Sequence, residues 1–438
     1  MPAAPGLEVS WSEAAHLASR ALNSAISTEP RSRRWWASQA WQTAGWGVLG
    51  LASSTVDAAR GSPGWLALVH PIEATSLFAA MVFLVVSTPR LRELLLFLAG
   101  AVGFAFAHRA WLRLFSFRGV PFEQSALVAA GLGSLLALAA RAAASERGSE
   151  PRAWFHLAVI LPAFGMAMGL GLDLTVPLHG WARDPIVLGL DAGFGQPSFA
   201  VGRLADRHPA LLTLLSLVYL FLPVVMAAML VLEKRRSVAR QRGLLRPILL
   251  AAVVGYALYQ LYPVVGPGPL FGARFPNGPS SLAGPPQRLV EVTAIADPRN
   301  CMPSLHVAWA LLVYWHARTL GRPARAGGAF WLASTIFATL AMGQHYFVDL
   351  VVAVPFAALI DALAGGGAPT RKIFSARGRL IATAGALLAV WYAILLLAPP
   401  GASGGLPLRL FALATIAASW SLHARWCASA LSGPRASV

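Results

Sequence analysis

The stretch 341-AMGQHYFVDLVVAVPF-356 sets a histidine and an aspartate at the edge of a strongly apolar run. Between Phe347 and Phe356 the only charged residue is Asp349. Such a run reads as one end of a membrane helix, where an ionisable side chain is costly enough to suggest a task. His345 and Asp349 are four residues apart, which on a helix places both on one face. A carboxylate bonded to one imidazole nitrogen fixes the tautomer and leaves the other nitrogen free as a nucleophile. Taken alone, the pair is explained at least as well as an interfacial anchor for a helix end.

Outward from this stretch the same composition continues. The chain has 438 residues, 57% hydrophobic and only 12% charged, where soluble domains carry about 25% charge. Apolar runs of roughly 16–24 residues recur, too long for barrel strands. They predict an all-α, polytopic helical membrane protein with about twelve spans. The spans fall at 39–56, 66–87, 92–108, 125–143, 154–172, 209–232, 247–265, 303–319, 329–344, 346–364, 380–398 and 407–424.

The net charge of +17 comes almost wholly from arginine. It concentrates in RSRRWW (31–36), EKRRSVARQRGLLR (233–246), HARTLGRPARAGG (316–328) and TRKIFSARGR (370–379), which marks these as cytoplasmic loops. Alternation then places 173–208, 266–302 and 399–406 on the extracytoplasmic side. Arg109, Arg113 and Arg118 conflict with this, since they fall on a predicted outer loop, 109–118. No basic patch on a soluble domain is present, which excludes nucleic acid as a partner. The first residues lack an apolar core of their own, so no cleaved signal peptide is expected. The two cysteines, Cys301 and Cys427, fall on opposite sides, so neither a disulfide nor a cysteine metal site follows.

A second polar-to-apolar junction, 297-DPRNCMPSLHVAWALL-312, begins another helix on the same predicted side as His345. Pro303 suits the first helical position, where its missing N–H costs nothing. The free N–H groups of that first turn, with the helix dipole, make an anion site. Ser304 adds a hydroxyl donor, and His306 is placed to protonate a leaving oxygen or deprotonate an incoming hydroxyl. Arg299 can hold an anion in a forked contact, or be a solvated loop charge. Tyr256, Tyr259 and Tyr262 recur every three residues, either as an interfacial aromatic face or as head-group donors. His70, His108, His156 and His316 have no metal spacing and read as packing or interfacial residues, and Asp361, near the far end of its helix, reads as structural.

Together these pieces resemble a known family. CMPSLH (301–306) and GQHYFVDL (343–350) resemble the second and third motifs of the type 2 phosphatidic acid phosphatase superfamily, in its inositol phosphorylceramide synthase-like branch. The stretch 259-YQLYPVVGPGPLF-271 is similar to that branch's replacement for the first motif, and 184-DPIVLGLDAGFGQPS-198 to its luminal segment. The resemblance covers roughly 154–364. It implies a six-helix core and a metal-independent phosphohistidine mechanism without cofactors. In that mechanism His345 is the nucleophile, Asp349 orients it, His306 is the general acid and base, and Ser304 helps hold the phosphate.

Two departures stand out. No Lys or Arg occurs in 247–273, where the usual first motif supplies both, and Thr339 occupies the position of the usual arginine six residues before the third-motif histidine. Arg274, Arg288 and Arg299 are the candidates to balance the phosphate charge.

The expectations are therefore a membrane region at 1–150, a catalytic core at 151–365 and C-terminal membrane helices at 366–438. The chain is expected to be an integral membrane phosphotransferase acting on a lipid phosphate ester at the extracytoplasmic face. An alcohol acceptor makes it a head-group transferase, and water makes it a lipid phosphatase. A non-catalytic transporter or scaffold is the alternative from another class.

Overall fold

The structure is a computed structural model describing residues 71–114, 122–236, 243–277, 290–291, 297–365, 375–399 and 402–431. The predicted span at 39–56, His70, Arg118 and Arg288 lie outside the described residues.

The described chain is almost entirely helical. In order it forms α1 (Pro71–Phe78), α2 (Ala80–Val86), α3 (Leu91–Leu114), α4 (Phe122–Ala143), α5 (Glu150–Leu178), β1 (Trp181–Ala182), α6 (Asp184–Ala192), α7 (Pro197–Asp206), α8 (Pro209–Leu220) and α9 (Leu222–Arg235). There follow α10 (Leu245–Leu261), α11 (Pro267–Phe271), β2 (Val290–Glu291), α12 (Leu305–Ala317), α13 (Arg322–Ala341), α14 (Phe347–Ala364), α15 (Ala376–Leu397) and α16 (Leu406–Leu431). Five of these helices are long and apolar enough to cross a membrane: α3, α4, α5, α14 and α15. The pair α8 and α9 makes a sixth if counted as one span bent by 51°. Pro223 at the start of α9 accounts for the bend, because it removes a backbone donor and crowds the preceding turn. The apolar helices α10 and α12 are shorter. The structure thus supports an integral membrane protein with five or six spanning helices among the described residues, fewer than the composition predicted.

Arg109 and Arg113 do not lie on a loop. They sit in the last turns of α3, which runs on to Leu114. Good helix formers continue the helix there, and a basic last turn complements its dipole.

The chain divides into two compact units at Ala167/Met168, within α5. In the first, α1 and α2 pack on α4, which also lies along α3. Ala74, Leu77 and Val128 form the seam. Gly131 permits the close approach, since a Cβ there would lie 2.5 Å from the Leu77 carbonyl.

In the second unit, α14 is the central helix. It is apolar all round, as a helix enclosed by others must be, and packs against α10, α12, α15 and α16. Helix α13 lies against α7, α8 and α12. A two-stranded antiparallel pair, Trp181↔Glu291 and Ala182↔Val290, joins the segment before α6 to the segment before α12. Both cysteines are free.

Candidate active site

The N-terminal ends of α12 and α14 meet in one buried cluster. Ser304 is the N-cap of α12, and its Oγ accepts from Val307 N at 3.4 Å. Pro303 therefore precedes the helix instead of occupying its first position. Its preference for a helix start is real, but Ser304 has the capping side chain and takes the cap. The Ser304 hydroxyl proton is still available to a ligand. His306 stands in the first turn, with its ring stacked on Tyr219 at 3.7 Å and edge-on to Trp309 at 6.1 Å.

His345 lies two residues before α14, whose N-cap is Tyr346. The four-residue helical spacing to Asp349 is therefore not realised. Asp349 is the third helical residue, and its Oδ2 accepts from Tyr346 N at 2.8 Å, which closes the helix end. Its distance to His345 Nδ1 is 3.5 Å, beyond an ordinary hydrogen bond. The closer partner is the Cys301 carbonyl, 3.1 Å from Nδ1. A carbonyl oxygen only accepts, so Nδ1 must carry the proton, and the lone pair of the neutral ring lies on Nε2. Nε2 has no hydrogen-bond partner among the described residues. Burial pushes the His345 imidazole down to about 3, against the raising effect of the Cys301 carbonyl, which favours the neutral ring. His306 and His345 are electrostatic neighbours.

The stretch 184–198 holds this histidine in place through three residues seven apart. Asp184 Oδ1 accepts from Tyr346 Oη at 3.0 Å. Asp191 Oδ1 accepts from Val348 N at 3.1 Å. Ser198 Oγ donates to the His345 carbonyl at 2.7 Å. Asp184 also accepts from Val265 N at 3.0 Å and Gly266 N at 2.9 Å, tying in the loop after α10. Gly266 has φ +101°, and a Cβ there would lie 2.7 Å from the Gln344 carbonyl and 2.8 Å from Cys301 Sγ. No side chain fits between this loop and the His345 segment. Burial raises the Asp184 carboxyl above the usual carboxylate range, opposed by those backbone donors, and raises Asp191 from 3.8 to about 8.

Helix α15 also reaches the site. Tyr392 Oη donates to the Met302 carbonyl at 3.0 Å, and Tyr262 Oη donates to the Leu395 carbonyl at 3.2 Å. Sequence reasoning gave no role to Asp184, Asp191, Ser198 or Tyr392. The polar residues of 184–198 were visible as a stretch, but nothing local predicts contacts about 150 residues away.

Arg299 is fully enclosed, at 1% exposure. Its backbone N–H donates to Thr175 Oγ1 at 2.8 Å, and its Nη1 donates to the Asp297 carbonyl at 2.7 Å. Its Nη1 and backbone N–H thus help to fix the loop ahead of α12, with Asp184 as a charged neighbour. It is not the solvated loop charge that composition allowed. Arg274 is exposed, with its guanidinium 5.9 Å from the Phe271 ring centre.

Cys301 Sγ, a His345 nitrogen and an Asp349 oxygen lie within 4.8 Å of one another, the only such donor group among the described residues. Burial pushes the Cys301 thiol well up, and Sγ donates to the Gln344 carbonyl at 2.9 Å. A protonated, hydrogen-bonded thiol is a poor metal ligand, so the group reads as part of the hydrogen-bonded cluster.

A helical membrane protein with two histidines and a carboxylate at the meeting ends of two core helices is the class that fold and site define. Residues 187–363 match the PAP2 superfamily, a span that contains Ser304, His306, His345 and Asp349. This supports the superfamily and points to phosphatase or phosphotransferase chemistry on phosphate esters. No curated protein and no solved structure matches the chain.

Proposed function

We propose that the chain is an integral membrane phosphotransferase that acts on a lipid phosphate ester through a phosphohistidine at His345. The observation that carries this reading is the His345 hydrogen bond to the Cys301 carbonyl, which leaves the Nε2 lone pair free beside His306.

In the first step the Nε2 lone pair attacks phosphorus and the bond to the leaving oxygen breaks. His306, neutral in the free site, gives that oxygen a proton taken up with the anionic substrate. In the second step the neutral His306 takes the proton of an incoming hydroxyl, the new P–O bond forms, and the P–N bond returns its electron pair to Nε2. Ser304 Oγ and the first-turn N–H groups of α12 hold the phosphate oxygens. Asp349 keeps the α14 end closed, so that the His345 backbone stays in register with Cys301.

Resemblance to the inositol phosphorylceramide synthase-like branch favours an alcohol acceptor, hence head-group transfer; with water the same intermediate gives a lipid phosphatase. The arginine-rich loops favour an extracytoplasmic site, and residues 151–365 are taken as the catalytic core. The test is turnover of a short-chain lipid phosphate by purified protein with and without an added alcohol. Transfer to the alcohol that disappears in His345→Ala supports the reading. Equal turnover by His345→Ala refutes it, and no turnover by wild type leaves a transporter or scaffold.

A further inference from the structure

The superfamily's usual cations are missing from 247–273 and from position 339, and Arg299 Nη1 is hydrogen-bonded within its own loop. A phosphate ester bound at this site still needs a positive partner, because a desolvated anion is costly unless paired.

Arg183 stands next to Asp184, between β1 and α6, and is half-buried. Its guanidinium carbon lies 5.6 Å from the Trp181 ring centre and 5.3 Å from the Tyr262 ring centre. Two aromatic rings thus line the guanidinium, an arrangement that stiffens an arginine without using its donors. Nε and Nη1 are buried and have no hydrogen-bond partner among the described residues. The adjacent carboxylate does not take them, since Asp184 spends its oxygens on Val265 N, Gly266 N and Tyr346 Oη. A buried donor left unmade is expensive, and each such case calls for an explanation.

The slot is joined to the catalytic cluster by short steps. Arg183 N donates to the Pro263 carbonyl at 2.9 Å, and the next carbonyl, Val264, accepts from Cys301 N at 3.1 Å. Cys301 in turn holds His345. On the other side, Tyr262 meets Tyr392 edge-on at 6.3 Å, and Tyr392 holds Met302. Hydrogen bonds and one ring contact thus link the slot to the segments that carry His345 and Met302.

We propose that Arg183 is the anion-holding residue of this protein: its guanidinium, set between Trp181 and Tyr262, takes the oxygens of the substrate's phosphate group. The inference rests on the phosphate-ester reading of the site, and replaces the missing first-motif cations by one from the segment before α6. The bulk of the adjacent Asp184 is spent on the loop, so the arginine's charge is left for the ligand.

The test is binding, so that it stands apart from turnover. The full chain in detergent is melted across a range of inorganic phosphate, and then of a short-chain lipid phosphate. Wild type and His345→Ala are expected to melt higher as phosphate rises. In Arg183→Gln the phosphate concentration for half the shift rises at least about tenfold, and Arg183→Lys falls between, because a lysine has the charge without the fork. Melting without phosphate shows that the variants are folded, and guanidinium ion added to Arg183→Ala recovers part of the shift. Phosphate binding by Arg183→Gln that equals wild type overturns the proposal, as does a wild type that shows no shift. So does a loss confined to the lipid phosphate, which sets Arg183 against the organic part of the ligand or the bilayer surface. Turnover that survives in His345→Ala sinks the phosphohistidine reading instead and leaves the binding result to decide Arg183.

Discussion

Helices α12 and α14 carry a polar cluster at each end, and the two are built differently. At the far end His316 uses both ring nitrogens: Nδ1 on Glu233 Oε1 at 2.6 Å and Nε2 on Asp361 Oδ1 at 3.2 Å. The other Asp361 oxygen takes His423 Nε2 at 2.8 Å, and Glu233 Oε2 accepts from Leu244 N at 2.9 Å. Four helices, α9, α12, α14 and α16, are clamped by charges whose partners are all inside the protein. At the near end, about 15 Å along α12 at 1.5 Å per residue, His345 uses one nitrogen, and among the described residues the His306 ring meets Tyr219 and Trp309. The same residue types thus serve two purposes. A histidine with both nitrogens on carboxylates is held; one with a free nitrogen in a buried site is available to a substrate.

The largest expected effect separates the ends by mutation. His345→Ala lowers turnover by at least about a thousandfold with little change in melting, since a nucleophile is removed while its loop stays. His316→Ala does the reverse. It strands Glu233 and Asp361 and costs about 3–5 kcal/mol of stability, while turnover per folded molecule stays near wild type. Parallel kinetics and thermal melts check both. Equal loss of turnover in the two variants breaks the comparison.

Next in size is His306→Ala, expected to lower turnover by about 10²–10⁴-fold, the range for a positioned acid or base. The loss is smaller for substrates with acidic leaving groups, which need no proton. A loss independent of the leaving group assigns His306 to packing on Tyr219 instead. Asp349→Asn is expected to cost less, on the order of tenfold, because the tautomer of His345 is set by the Cys301 carbonyl and Asn can still accept from Tyr346 N–H. A loss as great as that of His345→Ala gives Asp349 the orienting role that its spacing suggested.

A separate effect is a pH dependence at the support of α14. Asp191 is raised from 3.8 to about 8 by burial, with Asp349 adding to the rise. Between these values the unfolded chain has released the proton that the folded chain keeps, so stability falls as pH rises through this window. Asp191→Asn never ionises. Its melting advantage over wild type is therefore expected to grow from about pH 4 to about pH 8 and to level off outside that range. A constant difference across the window contradicts the raised value.

The sequence made the helices legible, because long apolar runs admit no other backbone. It also made His306 and His345 legible as exceptions at the edges of those runs. The helical setting of His345 was not legible: the helix starts at Phe347, so His345 sits outside it, with the Cys301 carbonyl at 3.1 Å and the Asp349 carboxylate at 3.5 Å. Pro303 was misplaced by two residues because its preference for a helix start was weighed without the stronger cap of Ser304. His316 and Asp361 were read singly as packing and structural residues. The clamp they form with Glu233 and His423 joins four separate helices, and no local spacing announces it. Arg183 is illegible for the same reason, since its aromatic surroundings exist only once Trp181 and Tyr262 are brought together.

The central claim is that the free nitrogen of His345 forms a covalent bond to phosphorus. Rapid acid-free quenching of the purified protein during turnover of a phosphate-labelled lipid tests it most directly. The account predicts alkali-stable, acid-labile phosphate on the peptide containing His345, absent from His345→Ala and present in His316→Ala. A wild type that turns over with no label on that peptide, or label that persists in His345→Ala, contradicts it.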